Sequence, residues 1–271
     1  MVKTNKETNL LEKSISRRTF IKGAGIATGA VVGGIALTSA AEPVVTEDPL
    51  PYKTLDTKDV LIRGHEGYYV GGCCYGAYYA IMSALRDLIG GPYEDVQYRT
   101  MRYGGAGIAG WGTICGAENG ACAAIATVVP NKDISKVCNE LLYWYSNAQL
   151  PTDEANKIGA AGNYTRTTKE YPAIDLPQSV ASSPLCHASV ANWCKASGIA
   201  ENDKKRLERC ARVTGDAAAK AAELLNDYFA GTIKYVAAYS PMQESCFRCH
   251  SGTVGKPKMD CLSCHDGHMD Y

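Results

Sequence analysis

Histidine is scarce in this chain, five among 271 residues, and phenylalanine and tryptophan are scarcer still at three each. Stretches with apolar residues at every second position are nearly absent, which excludes a sheet-dominated fold. No Ser/His/Asp arrangement and no metal-hydrolase motif occurs, so hydrolytic chemistry has no carrier. Net charge is lacking too: 28 basic residues balance 28 acidic ones, and with residues 1–41 set aside 22 face 26. That balance provides no basic surface for nucleic acid or for an anionic membrane. The longest apolar stretch, Gly23 to about Leu37, is short and glycine-rich, and it spans a bilayer poorly.

Cysteine, by contrast, is plentiful at twelve residues. Four of them belong to two copies of one pattern, Cys246-Phe-Arg-Cys249-His250 and Cys261-Leu-Ser-Cys264-His265. C-x-x-C-H is the attachment motif of c-type haem: the paired thiols form thioethers with the porphyrin vinyl groups, and the adjoining histidine becomes an axial iron ligand. Zinc knuckles and redox dithiols share C-x-x-C alone, but the histidine appended to both copies favours two covalently bound haem c groups. Ser16-Arg17-Arg18-Thr19-Phe20-Ile21-Lys22 is a twin-arginine export motif, and Ser39-Ala40-Ala41 suits cleavage before Glu42. Residues 1–41 therefore read as a signal peptide and the mature chain as periplasmic, touching the membrane only during export. Because that route moves folded proteins while haem is attached outside, the signal also points to a second cofactor assembled before export.

Helical periodicity organises the middle of the chain. A first amphipathic helix begins at Cys74 and stops at Gly90-Gly91-Pro92, with residues 42–66 before it read as a polar, proline-rich lead-in. A second runs from about Cys115 to Val129 and a third from about Asp133 to Asn147. Residues 150–185 show no period and read as a long functional loop or an arm on a partner. Ser183-Pro184 starts a helix to about Lys195, and the longest helix covers about Asp203 to Tyr228. The expected fold is mainly α: a helical cysteine-rich domain over 42–240, followed by a small irregular dihaem segment over 241–271. Gly105-Ala106-Gly107-Ile108-Ala109-Gly110 matches a dinucleotide fingerprint but lacks the preceding strand, so its glycines are read as permitting close backbone approach instead.

Eight cysteines remain outside the haem motifs. Cys74, Cys115 and Cys186 fall near expected helix N-termini, where the dipole favours thiolate, and Cys210 lies on a core-facing stripe. These four are the first choice for an iron-sulfur centre, with Cys194 and Cys122 as substitutes and disulfides as the alternative. The elements Gly72-Cys73-Cys74-Tyr75-Gly76 and Cys115-Gly-Ala-Glu-Asn-Gly120, followed by Cys186 and Cys210, resemble the redox-active family with spaced cysteines and a Cys-Gly-Ala-x-x-Gly element. Joined to two haem motifs and an export signal, the chain resembles the split-Soret cytochrome c family. That resemblance implies a mostly helical homodimer, two closely packed bis-histidine haems per subunit, an additional iron-sulfur site and electron transfer between redox partners.

Axial ligation follows from the histidine count. His250 and His265 are the proximal ligands, and His65 and His268 are the candidates for the distal positions, ahead of His187; Met242, Met259 and Met269 are alternatives. His268 is too close to His265 to cross to the far face of the same haem, so it serves a neighbouring haem or one in a second subunit. The favoured function is electron carriage, more a carrier than an enzyme. The alternatives are a haem-based reductase of a small anion or peroxide, and a redox sensor.

Overall fold

In a computed structural model, residues 48–162, 172–250 and 258–263 are described, and all belong to the unit that begins at Glu47. The signal segment, Cys264, His265, His268 and Met269 lie outside the described residues. The helices are α1 (Thr57–Gly71), α2 (Cys73–Ile89), α3 (Gly116–Val128), α4 (Asn131–Asn147), α5 (Asp153–Ala161), α6 (Cys186–Ser197), α7 (Lys204–Ala230) and α8 (Pro241–His250). Two-residue strands β1 (Gln149–Leu150) and β2 (Ser179–Val180) pair antiparallel, with Gln149 opposite Val180. The fold is mainly α, as expected, and no described helix is long and apolar enough to cross a membrane.

Residues 57–71, read as part of a polar lead-in, form α1 instead. Asp56 caps it by accepting from the Lys58 and Asp59 N–H groups. Its buried face holds only two large apolar side chains, Val60 and Leu61, beside Gly64, His65, Glu66 and Gly67. No hydrophobic stripe announces such a helix; it is held by close approach. A Cβ on Gly64 would stand 2.9 Å from the Gly215 Cα of α7, so the two backbones touch where both side chains are missing.

α7 is the central element and contacts α1, α2, α3, α4 and α5. Asp203 caps it, and Gly231, left-handed at φ 73°, ends it. One core cluster gathers Val60, Ile81, Leu85, Ile125, Leu141 and Leu225 from α1, α2, α3, α4 and α7. A smaller one gathers Cys73, Cys115, Tyr145, Leu150, Val213 and Ala217 around the start of α3. The region without period contains α5, capped by the Thr152 hydroxyl, and β2. α6 begins at Cys186 rather than Ser183, whose hydroxyl accepts from the Leu185 N–H just before the helix. The first haem motif is itself helical, on α8, and its described residues fall in the same unit as the cysteine-rich helices.

Candidate redox site

A short bridge sets up the site. Ile114 pairs with Leu185, the Cys115 N–H donates to Pro184 O at 2.8 Å, and the Cys186 N–H donates to Thr113 O at 2.7 Å. These bonds hold the start of α3 beside the start of α6, so the two thiols meet although 71 positions separate them in sequence. Cys73 opens α2 and reaches the same place. The two glycines of the Cys115-Gly-Ala-Glu-Asn-Gly120 element explain how: a Cβ on Gly116 would stand 2.4 Å from the Cys73 Sγ, and one on Gly120 would stand 2.1 Å from the Cys74 carbonyl oxygen. Spaced four apart, they form one bare face of α3 on which the first turn of α2 rests. On the facing loop, Gly107 is left-handed at φ 67° and lies against the Thr113 N–H, the close backbone approach expected of that glycine run.

The result is a cavity of about 540 Å³ lined by Cys73, Cys115, Cys186, Cys194 and Cys210, with Tyr145, Ser189, Arg206 and Arg209 in its wall and His187 at its edge. Cys115 is the most acidic thiol there, its pKa brought down to about 6 by a hydrogen bond from Cys186, then by bonds from Tyr145 and the Ala117 N–H and by the Arg209 charge, against the opposing effect of burial. Cys186, the donor to Cys115, is pushed up by that bond and by burial. Burial, and then repulsion from Cys115, pushes Cys73 up to about 12. Arg206 and Arg209 both hydrogen-bond Cys210, and Arg209, fully buried, also donates to Ser189 Oγ at 2.8 Å while its Nε has no hydrogen-bond partner. Among the described residues no three His, Cys, Asp or Glu side chains stand at the spacing of a closed metal site. The thiols line a space and do not yet form a cage.

A second cleft, of about 490 Å³, lies between α4 and the C-terminal segment. Leu142, Tyr143 and Ser146 of α4 line it, with Pro184, Tyr239, Gln243 and Met259 opposite. Glu140 ties the arm leading to α8 in place by accepting from the Val236 and Ala237 N–H groups at 2.9 and 3.0 Å. On α8, Gln243 and Phe247 point inward one turn apart, Phe247 meeting Tyr239 edge to face at 5.0 Å. Cys246 and Cys249 lie three residues apart, half-buried and exposed respectively, and His250 ends the helix one turn from Cys246. Cys261 is half-buried in a single 3-10 turn over Cys261–Ser263.

Residues 75–224 match the redox-active protein family C_GCAxxG_C_C. Over 94% of this chain and 95% of the other, the sequence is 34% identical to the split-Soret cytochrome c of Desulfovibrio desulfuricans. The chain belongs to the split-Soret cytochrome c family. A solved structure from that organism, described as a novel iron centre in the split-Soret cytochrome c, superposes with a TM-score of 0.70 at 34% identity, covering 81% of this chain and 91% of that one.

Within this split-Soret fold, two of the expected ligands stand elsewhere. Cys74 is fully buried but does not line the thiol cavity; its neighbour Cys73 does. Successive helical residues diverge by about 100°, and the Cys74 Sγ turns toward Gly104, where a Cβ would stand 2.5 Å from it. Both adjacent cysteines of Gly-Cys-Cys-Tyr-Gly are buried, and the packing on α3 decides which of them faces the cavity. His65 lies inside the helical core, its Nε2 bonded to Glu208 at 3.0 Å, and Glu208 also accepts from Tyr69 and Arg212. Axial ligation through His65 Nε2 would break that buried contact, and the helical core encloses the ring. Met259, the methionine alternative among the described side chains, accepts from Ser183 Oγ at 3.5 Å. Sequence reasoning missed Arg206, Arg209 and Tyr145 as parts of the site; a buried arginine on a cysteine-bearing helix is the signal that could have found them.

Proposed function

We propose that this chain is an exported c-type cytochrome with two haems and an iron centre, and that it carries electrons between them and a redox partner. The observation that carries the reading is the shared wall. Tyr145 faces the thiol cavity while Ser146 faces the second cleft, and Cys186 faces the cavity while Pro184 faces the cleft. Residues adjacent in sequence thus line both spaces, which supports transfer between groups seated in them, while Cys246, Cys249, His250 and Cys261 stand on the C-terminal segment outside the cleft's lining.

The donor sets suit both groups. Cys73, Cys115, Cys186 and Cys210 offer four sulfurs around one cavity, with Cys194 in reserve. Arg206, Arg209 and the N-termini of α2, α3 and α6 oppose the negative charge of thiolates gathered there. Rotation of these thiols into the cavity would convert the lining into a cage. Bound there or in haem, iron supplies a one-electron couple whose potential responds to burial and hydrogen bonding. On the C-terminal segment, Cys246, Cys249 and His250 would hold one porphyrin, and Cys261, Cys264 and His265 the other. With His65 committed to Glu208, the distal positions fall to His268 and to His187 or a methionine, from this chain or from a second copy in a homodimer.

Metal analysis of the mature protein, with an optical spectrum and carbon monoxide added after reduction, tests the reading. Two haem irons per chain, further iron beyond them and no carbon monoxide adduct are expected. Iron equal to haem would remove the cavity centre, and a carbon monoxide adduct would turn the reading toward a reductase.

A further inference from the structure

Besides Cys74, two cysteines take no part in either group. Cys122 lies on α3, seven residues after Cys115, and Cys138 lies on α4, sixteen after Cys122. Neither lines the thiol cavity nor the cleft. Both are half-buried and reduced, packed against the main core from two helices joined by the short turn at Pro130. The Cys138 Sγ stands 3.9 Å from the Cys122 carbonyl oxygen, and the two thiols are hydrogen-bonded to each other. The two cysteines are thus neighbours across the helix pair, the setting in which a disulfide can close if their Cβ atoms approach to about 4 Å.

We infer that Cys122 and Cys138 form a two-electron dithiol/disulfide couple, separate from the iron and haem cysteines, that braces α3 to α4. The consequence of closure follows from what those helices carry. α3 begins at Cys115, and α4 presents Tyr145 to the cavity and Glu140 to the arm that leads to α8. A covalent bond between them would fix the wall that separates the two sites.

The oxidant is a low-molecular-weight or protein disulfide, R–S–S–R, of the kind available outside the cytoplasm. Cys138 is the attacking sulfur: its thiol is made more acidic by the hydrogen bond from Cys122, while Cys122 is pushed up by the same bond and by burial. The Cys138 thiolate attacks R–S–S–R, forming a mixed disulfide and releasing one RS⁻, which takes up the Cys138 proton. The Cys122 sulfur then attacks the Cys138 sulfur, the second RS⁻ leaves, and it takes up the Cys122 proton. The chain loses two hydrogens and the oxidant becomes two RSH.

The test uses the holoprotein, equilibrated in oxidised and reduced glutathione at a series of ratios, quenched in acid, alkylated under denaturing conditions, digested and weighed. Expected is a Cys122–Cys138 linked peptide that rises with the oxidised fraction and disappears with dithiothreitol, while haem and iron content stay constant. Cys138→Ser should leave no linked peptide, and Cys122→Ser should trap glutathione on Cys138. Separate alkylation of both cysteines at every ratio, or linkage of either to a different cysteine, would overturn the inference. Both variants are read by peptide mass as well as by yield, so one that folds poorly still leaves the wild-type titration to decide.

Discussion

Cys115 and Cys186 are joined by one hydrogen bond, and their surroundings decide which sulfur carries the charge. Cys115 has Tyr145, the Ala117 N–H and Arg209 on its side, so it is made more acidic and Cys186 less so. The acidified sulfur is the N-cap residue of α3, where the helix dipole also favours negative charge. Asp216 shows the opposite outcome of burial. It lies on α7, accepts from the Thr152 hydroxyl and N–H, and is nevertheless raised from 3.8 to about 7 because desolvation outweighs those bonds. An acid whose folded pKa is raised holds its proton more tightly folded than unfolded, so stability is greatest below the unfolded value and falls as pH rises through the window from about 4 to 7. At about 1.4 kcal/mol per unit, on the order of 4 kcal/mol is at stake. Asp216→Asn should flatten this dependence: the difference in unfolding free energy between pH 5 and pH 8 should shrink by a few kcal/mol in urea titrations. An unchanged difference would show that Asp216 ionises normally. At this scale the convergence of Cys115, Cys186 and Cys210 on one cavity was legible, because helix-terminal position marks the first two and a core-facing stripe the third. His65 was not legible, since a glycine-flanked histidine looks the same whether it meets a porphyrin or a buried glutamate.

Among the elements, α2, α3, α4 and α7 were readable within a few residues because each carries an apolar stripe at helical spacing. α1 and α5 were not. α1 buries glycines, a histidine and a glutamate, and α5 is a nine-residue helix whose buried residues are Ala155, Asn156 and Gly159. Helices that pack by closeness leave little trace in a hydrophobicity pattern. The same closeness makes the α2–α3 contact brittle. Gly120→Ala would set a methyl group 2.1 Å from a backbone oxygen that cannot move alone. We expect a loss of at least about 1–3 kcal/mol, seen as a lower melting temperature. Iron in excess of haem should fall at the same time, because the first turn of α2 carries Cys73. Gly231→Ala, with open space around the added methyl but a left-handed φ of 73°, serves as a control that costs stability without touching the cavity. Full iron occupancy in Gly120→Ala would separate the glycine face from the site.

At the scale of the molecule, neither core cluster includes a described residue beyond Ile233. The described part of the haem segment is attached through Glu140, through Phe247 on Tyr239, and through Ser183 on Met259. A chain ended after Tyr239 should therefore keep its helical circular dichroism and unfold cooperatively while carrying no haem; loss of the cooperative transition would show that the haem segment is part of the core. The proposed covalent chemistry rests on the sequence alone, because C-x-x-C-H places two thiols and an imidazole close together along the chain whatever surrounds them. Helix number and order were largely determined there as well, through periodicity. Convergence was left to the tertiary structure. Which of Cys73 and Cys74 faces the cavity, which buried arginines face the thiols and which histidine is spent on a buried hydrogen bond all depend on contacts between residues up to 143 positions apart. Local patterns encode direction along one element, but the meeting of elements is decided by which faces lack side chains and can touch.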